Sequence, residues 1–292
     1  MFPRIPPNLS SCPSFQVLYN FVEDFRVSPP NFESPAQPSF LSPDSWGWLI
    51  TVVSSDLAWI EDDVQKELIW ESTSRRISER CGRCALPAMT RIFKIFPTLE
   101  IALHEPSWTS DNLGLKTWGA SFVLSKKLDQ ILPSNPRHIL ELGSGTGLVG
   151  LTAAALRPNS PVLLTDLPEI VLNIVKNIDL NHSSHGGNAK ARILNWLDKT
   201  TWGAETFDLI IASDPIYSEK HPSTLLSVVE ELLETGGIFI SIYPLRQAYA
   251  SEIRDFETRM KKMFTIEGAG EESAFDDWDH EVQFRWSIHR KV

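Results

Sequence analysis

A glycine-rich segment, Glu141-Leu-Gly-Ser-Gly-Thr-Gly147, has the residue types of a ligand-binding loop. Glycines at alternate positions allow a tight turn and let a ligand approach main-chain N–H groups closely. The G-x-G-x-G spacing differs from the G-x-G-x-x-G that suits a dinucleotide pyrophosphate, and no Gly-Lys-Ser/Thr of a P-loop follows. With Glu141 two residues before the first glycine, the loop favours a ligand that carries an ammonium group and no phosphate. The alternative is a plain turn between a strand and a helix.

Two further carboxylates lie where apolar runs end. Asp166 lies near the end of the run over 161–167, 21 residues beyond Gly145, where nucleotide-binding folds place a carboxylate that binds both ribose hydroxyls. It could instead cap the helix predicted from Pro168. Asp214 follows FDLIIAS and opens the sequence Asp-Pro-Ile-Tyr217. Such folds place chemistry at strand ends, although Asp-Pro alone is also typical of a turn.

Strands and helices alternate from about Arg137 onward, and they position these residues. Apolar runs predict strands over 137–143, 161–167, 190–196, 207–214, 237–243, 264–267 and 281–289. Helices are predicted over 148–156, 168–181, 221–234 and 247–262, with Gly236-Gly237 closing the third. This alternation predicts an α/β fold with a Rossmann-like, doubly wound, seven-stranded sheet. Two final strands without an intervening helix predict an antiparallel last strand.

The first 110 residues have a different composition and predict a mostly helical, Pro-rich region, followed by the ligand-binding domain over 111–292. A Pro/Ser-rich stretch over 28–44 is predicted to be extended. Before it, apolar residues recur at helical spacing at Phe15, Leu18, Val22 and Phe25. A second helical pattern over 45–80 has an apolar face formed by Leu57, Ile60, Val64, Leu68 and Ile69.

Charge and cysteine content exclude several classes of protein. The 27 Lys and Arg against 37 Asp and Glu give a net charge of −10, which disfavours nucleic acid and favours a basic protein partner. Three cysteines cannot all pair, so we expect a reducing compartment inside the cell. No run is apolar over the length of a bilayer, and no signal peptide is expected. Cys81-Gly-Arg-Cys84 is half of a zinc motif without a second half, so no metal is expected.

Five stretches together resemble the seven-β-strand methyltransferases that use S-adenosylmethionine, and among them the protein lysine methyltransferases with a D-x-x-Y motif. They are LGLKTWGAS (113–121), HILELGSGTGLVGL (138–151), LLTDLPEIVLNIVKNIDLN (163–181), LNW (194–196) and ASDPIYSEKH (212–221). The resemblance covers roughly residues 101–292. Fungal elongation factor 2 lysine methyltransferases are similar in HEPS followed by LGLKTWGAS and in a helical N-terminal extension. The resemblance implies S-adenosylmethionine as cofactor and a protein lysine, such as one on a translation factor, as acceptor.

The resemblance also implies roles for individual residues. The loop would line the methionine part of the cofactor, Glu141 would hold the loop or, through water, the ammonium group, and Asp166 would bind the ribose. The implied cofactor-binding residues are Trp118, Glu141, Gly143, Ser144, Gly145, Gly147, Asp166, Leu167, Trp196, Ala212 and Ser213. Asp214 would face the destination of the methyl group, and Tyr217 would shape the channel.

Some of these roles have structural alternatives. Trp196 would stack on adenine, but a core tryptophan is the alternative, and Trp118 could instead pack at a hinge. The family usually has Leu-Asp-Trp after the third strand, and Asn195 stands where that Asp would be.

Three functions remain open from the sequence. The first is methylation of a protein lysine, with residues 1–110 docking the substrate. The second is methylation of a small molecule or another protein side chain, and the third is a scaffold that binds partners in a fungal regulatory complex. Intact Gly143, Gly145, Asp166 and Asp214 favour a working site. The expected location is the cytoplasm, with the nucleus as alternative.

Overall fold

The computed structural model describes residues 5–26, 32–33, 45–79, 88–107, 113–185, 187–276 and 280–292. Contacts along the chain separate two units. One comprises residues 1–30, 36–88 and 107–109, and the other comprises residues 31–35, 89–106 and 110–292. The separation thus falls near residue 88, whereas the sequence pattern placed it at 110. Most of the Pro/Ser-rich stretch over 28–44 and the Cys81–Cys84 motif lie outside the described residues.

The first unit contains three helices, α1 (Phe15–Glu23), α2 (Ser45–Val53) and α3 (Asp63–Ser78). Helix α1 confirms the helix that the spacing of apolar residues in this stretch predicted. The continuous apolar face predicted over 57–69 is wrong, since Leu57 and Ile60 are buried in the loop before α3, while Val64 is 67% exposed. The physical reason is a cap, because the Asp62 side chain accepts from the main-chain N–H groups of Val64 (2.9 Å) and Gln65 and so begins the helix there.

The second unit is built on the predicted seven-stranded sheet. Its strands are β3 (Ile139–Leu142), β4 (Val162–Asp166), β5 (Ala189–Ile193), β6 (Phe207–Ser213), β7 (Leu233–Pro244), β8 (Phe264–Phe275) and β9 (Glu281–Lys291). Their order is β5-β4-β3-β6-β7-β9-β8, and β9 is antiparallel to both of its neighbours. The doubly wound α/β fold with an antiparallel last strand is therefore confirmed.

Helices cover both faces of this sheet. They are α4 (Gly119–Ile131), α5 (Leu148–Leu156), α6 (Pro168–His185), α7 (His221–Leu232) and α8 (Ala250–Met263). Successive strand residues point to opposite faces, so Ile139 packs in one buried cluster and Leu140 in another. Within the described part of the chain, no helix has the length and apolar character needed to cross a bilayer.

Three elements differ from the predicted pattern. Helix α4 was not predicted. Helix α7 ends at Leu232 rather than at the glycine pair, because Leu233 already pairs with Phe207 of β6 and Gly236-Gly237 lies within β7. The third difference is an antiparallel hairpin of β1 (Met89–Phe96) and β2 (Leu99–Glu105) in a region predicted to be mostly helical.

Side chains of α6 attach this hairpin to the rest of the unit. Asn177 accepts from the main-chain N–H of His104 (2.7 Å) and donates to its carbonyl (3.2 Å). Asn181 makes the same pair of hydrogen bonds with Ala102 (3.0 and 2.7 Å). Asn173 donates to the His104 carbonyl as well (3.0 Å). A row of asparagine side chains on α6 therefore hydrogen-bonds to the free edge of β2. These bonds position the stretch of chain that precedes the site.

Candidate active site

A cavity of about 630 Å³ opens at the sheet edge where β3, β4 and β6 end. This volume lies within the range of small-molecule sites, about 300–1,000 Å³. Nine of the thirteen residues singled out from the sequence line it, namely Trp118, Gly143, Gly145, Asp166, Leu167, Trp196, Ser213, Asp214 and Tyr217. The strand ends thus bring together residues that are up to a hundred positions apart in the chain.

The glycine loop has a backbone that disfavours other residues. Gly143, Gly145 and Gly147 have φ angles of +67°, +57° and +90°, in the left-handed region. A Cβ at Gly143 would lie 3.1 Å from Cζ2 of Trp196, and one at Gly145 would lie 3.2 Å from the Gly114 carbonyl oxygen. The loop therefore forms a cradle. Its backbone conformation and its open space both depend on glycine, which has no side chain.

Glu141 supports this cradle from behind. Its side chain is buried and does not line the cavity, and its Oε2 accepts from the main-chain N–H of Gly150 in α5 (3.0 Å). Burial raises its pKa to about 8. At neutral pH the folded protein therefore favours the neutral carboxylic acid. This hydrogen bond ties the end of β3 to the first turn of α5, and the role of Glu141 toward the cofactor stays a prediction.

Three other predicted residues also lie behind the cavity wall. Ser144 is buried, and its hydroxyl accepts from the main-chain N–H of Thr165 (2.9 Å), which ties the loop to β4. Gly147 is the N-cap of α5, and a Cβ there would lie 3.0 Å from Leu164. Ala212 is fully buried in β6 between β3 and β7. These residues shape the site without lining it.

Asp166 lines the cavity at the end of β4. Its Oδ2 accepts from the main-chain N–H of Gly145 (2.8 Å), and its Oδ1 accepts from that of Leu167 (2.8 Å). Neither donor belongs to α6, so these bonds link the carboxylate to the cradle rather than cap the helix. Burial raises the pKa of Asp166 to about 6, against the two hydrogen bonds, which favour the ionised form. At neutral pH the Asp166 carboxylate is therefore mostly ionised.

Asp214 lies at the end of β6 in a strained conformation. Its φ of +51° is unusual for a residue other than glycine, and its N–H donates to the Ile242 carbonyl of β7 (2.8 Å). Oδ2 lies 3.4 Å from Nη2 of Arg246. Oδ1 is buried and has no hydrogen-bond partner among the described residues, as is true of the neighbouring Ser213 hydroxyl. Burial raises the pKa of Asp214, and Arg246 opposes this.

Aromatic rings form one wall of the cavity. The ring of Tyr217 is 43% exposed and meets the imidazole of His221 edge to face, with centroids 4.2 Å apart. His221 also meets the Trp196 ring at 5.4 Å, and burial lowers the pKa of His221. The Trp118 indole N–H donates to the Leu113 carbonyl (3.0 Å). These flat apolar faces suit a planar ring such as a nucleobase.

The structure adds residues that the sequence reasoning missed, chiefly His221 and Arg246. Arg246 follows β7 just as Asp214 follows β6, so the rule that strand ends meet at one edge could have found it. His221 begins α7 within the matched ASDPIYSEKH stretch. Asn195, at the usual Asp position, accepts from the main-chain N–H of Leu197 (3.0 Å), which stabilises the turn that carries Trp196.

Comparison with known proteins now identifies the class. A model of a family described as lysine methyltransferase matches residues 97–263, more than half of the chain. The chain belongs to the lysine methyltransferase family. The match spans the cradle, Asp166 and Asp214, and it ends with α8.

Two fungal relatives in this family match most of the chain. Protein-lysine N-methyltransferase rrg1 of Schizosaccharomyces pombe is 34% identical over 252 residues, which cover 82% of this chain and 83% of rrg1. Protein-lysine N-methyltransferase EFM2 of Saccharomyces cerevisiae is 38% identical over 249 residues, which cover 75% of this chain and 58% of EFM2. The match therefore spans less than two thirds of EFM2. A solved structure of the N-methyltransferase NodS of Bradyrhizobium japonicum, in complex with S-adenosyl-L-homocysteine, aligns with a TM-score of 0.44 at 14% identity, over 58% of this chain and 84% of NodS.

The cofactor of this lysine methyltransferase is S-adenosylmethionine, and the residues present fit it. The glycines of the cradle leave open the space that side chains at these positions would fill. Asp166 offers carboxylate oxygens at the cavity wall. The Ser213 hydroxyl is a buried polar group without a partner among the described residues, as expected where a ligand completes it. When bound, the cofactor supplies an activated methyl group on a sulfonium.

Proposed function

We propose that this chain transfers a methyl group to the ε-amino group of a lysine in a folded protein, and that this protein is a translation elongation factor. The observation that carries the proposal is the Asp214 carboxylate, which lines the cavity beside the glycine cradle and has one buried oxygen without a partner among the described residues. A carboxylate there suits an amine, which offers N–H donors. The relatives rrg1 and EFM2, both named protein-lysine N-methyltransferases, support the protein substrate.

The reaction requires a neutral amine. Free lysine has a pKa of about 10.4, so near pH 7.4 about one molecule in a thousand is neutral, and reaching that form costs about 4 kcal/mol. A lone carboxylate stabilises the ammonium and so works against this step. We therefore assign Asp214 to orientation of the amine through a hydrogen bond, with the proton leaving to water. Positioning against an already activated methyl group then provides most of the rate.

Tyr217 is proposed to form the channel through which the lysine reaches Asp214. Its ring stands at the cavity edge and is fixed against His221. Burial raises the pKa of Tyr217 to about 12, so the hydroxyl stays protonated at neutral pH and can donate a hydrogen bond. A flat, polar-tipped wall suits an extended aliphatic side chain that ends in an amine.

The choice of an elongation factor rests on the sequence, through the similarity of the HEPS and LGLKTWGAS stretches to fungal elongation factor 2 lysine methyltransferases. We propose that residues 1–110 dock this substrate and that the reaction takes place in the cytoplasm. The net charge of −10 supports a partner with a basic face.

Transfer of radiolabel tests the proposal. The protein is incubated with labelled S-adenosylmethionine and a fungal cell extract, and mass spectrometry then locates the label. We expect label on a lysine of elongation factor 2, and none with Asp214→Asn. Label on a lysine of another protein would overturn the assigned substrate alone. Label in the small-molecule fraction, or cofactor binding without any transfer, would overturn the protein-lysine activity.

A further inference from the structure

Arg246 lies beside Asp214 at the edge of the sheet, on the neighbouring strand. Strand β6 ends just before Asp214, and β7 ends at Pro244. The Asp214 N–H donates to the Ile242 carbonyl of β7 (2.8 Å), and the Arg246 N–H donates to the Pro244 carbonyl (2.9 Å). The backbone of two paired strands thus fixes both residues, and their proximity does not depend on a chance arrangement of surface side chains.

The guanidinium of Arg246 contacts one side of the carboxylate only. Its Nη2 lies 3.4 Å from Asp214 Oδ2, while Oδ1 has no partner in the described part of the chain. The guanidinium carbon also lies 5.8 Å from the centroid of the Trp118 ring, within reach of a cation–π interaction. The Arg246 side chain is 38% exposed against 10% for Asp214, so the cation stands at the cavity side of the buried acid. The two carboxylate oxygens therefore differ in their contacts, since Oδ2 lies near a cation and Oδ1 has no partner among the described residues.

This arrangement addresses the difficulty raised by the amine chemistry. A single carboxylate stabilises the ammonium form of a nearby lysine, whereas a second cation close to the same carboxylate opposes it. We propose that Arg246 is a positioning residue that holds Asp214 by one oxygen and electrostatically disfavours the protonated form of the substrate amine. This inference rests on the proposed lysine substrate.

The steps balance as follows. The substrate ammonium loses one proton to water and becomes a neutral amine. The nitrogen lone pair forms a bond to the methyl carbon, while the carbon–sulfur bond breaks and its electron pair stays on sulfur. Arg246 neither gives nor takes a proton, because a guanidinium stays charged throughout the working pH range. The other titratable residues that line the cavity are Asp166, Glu169, Tyr217, Lys220, His221, Tyr249 and Asp276.

Two variants separate charge from shape. Arg246→Gln removes the cation and keeps a hydrogen-bond donor, and Arg246→Lys keeps the cation. We measure the single-turnover methylation rate against pH, at saturating concentrations of the acceptor labelled by the wild type, because this rate reports groups in the complex. With Arg246→Gln we expect the alkaline rise of the rate to move up by about one pH unit, and the rate at pH 7.5 to fall about tenfold. With Arg246→Lys we expect the profile to lie within about 0.3 pH units of the wild type.

Controls guard against indirect effects. Arg254→Gln changes an exposed arginine of α8 in the same way and should leave the profile unchanged. Affinity for S-adenosyl-L-homocysteine, measured by calorimetry, should change less than about twofold in all three variants. A profile of Arg246→Gln that superimposes on the wild type would overturn the inference, as would an equal shift in Arg246→Lys or a loss of cofactor affinity. A wild type that labels no protein would instead overturn the proposed function itself.

Discussion

The two sides of the cavity are built in opposite ways. On the cradle side, both oxygens of Asp166 accept main-chain N–H groups, and Glu141 is held by Gly150. On the other side, Asp214 has a strained backbone and one oxygen without a partner among the described residues, and a single arginine stands 3.4 Å from the other oxygen. On the first side both carboxylate oxygens already have main-chain partners, whereas on the second side one carboxylate oxygen has none among the described residues.

This difference matches the two ligands of a methyltransferase. The cofactor is the same at every turnover, so its cradle can be fixed in advance by the backbone. The acceptor must arrive as a cation, lose a proton and leave with a methyl group, so its side of the cavity retains free hydrogen-bonding capacity. Preorganised polar groups contribute most where charge changes during the reaction. Substitutions on the two sides should therefore separate binding from transfer.

The largest effect is expected for Asp214→Asn. Asparagine tolerates a φ of +51° and keeps the shape of the side chain, so the charge is lost and one of the two acceptor oxygens becomes a donor. We expect transfer to fall by about a hundredfold or more, since a positioning error alone can reduce rates by about a hundredfold. The dissociation constant for S-adenosyl-L-homocysteine should change less than about twofold, as measured by calorimetry. The matched control is Asp255→Asn, a partly exposed acid on α8, which should leave both quantities unchanged. Equal losses of binding and transfer in Asp214→Asn would contradict the division of roles.

A smaller effect is expected on the cradle side for Gly143→Ala. The new methyl group would meet the Trp196 ring, and the backbone would be strained at a φ of +67°. We expect cofactor affinity to fall by about tenfold and stability to fall by about 1–3 kcal/mol, measured by calorimetry and by urea unfolding.

Gly236→Ala is the control for Gly143→Ala, because it adds backbone strain without a new side-chain contact. Its φ is +77°, but nothing lies within 4 Å of an added Cβ, and it does not line the cavity. It should lose similar stability and keep full affinity. If it loses affinity as well, the Gly143 effect comes from global stability rather than from the cradle.

An effect of similar size is a pH dependence that belongs to Asp166. Its pKa in the free protein is about 6, so the carboxylate is ionised at pH 7.5 and protonated at pH 5. An ionised acid accepts hydrogen bonds from two ribose hydroxyls, and a protonated one loses part of that capacity. Affinity for S-adenosyl-L-homocysteine should therefore decrease as pH falls through 6, by about tenfold between pH 7.5 and 5. Asp166→Asn should bind weakly at both pH values, and a wild-type affinity that does not vary with pH would argue against this role.

The sequence predicted the cradle better than the acceptor side, for a physical reason. The glycines and Asp166 belong to local patterns in which strand, loop and helix follow each other within about thirty residues. Arg246 meets Asp214 because β7 pairs with β6, a long-range contact that is found only by comparing the ends of different strands.

The two errors in the fold have different origins. The glycine pair at 236 resembles a helix end, yet pairing of Leu233 with β6 decides where the strand begins, so a tertiary contact overrode the local pattern. In β1 the local pattern was correct, and its alternating residues were overlooked within a region assigned as helical from its flanks.

The asparagine row of α6 has a geometric consequence. Four residues of helix advance about 6 Å, and two residues of strand advance about 6.7 Å. A side chain at every fourth helical position can therefore serve alternate residues of a strand, as Asn177 and Asn181 do for His104 and Ala102. The mismatch of about 0.7 Å per repeat accumulates, so a helix can act as a neighbouring strand only for a short distance. The asparagines of α6 thus cover the free edge of β2 without an added strand. The helical repeat of α6 also fixes where the hairpin lies along the helix.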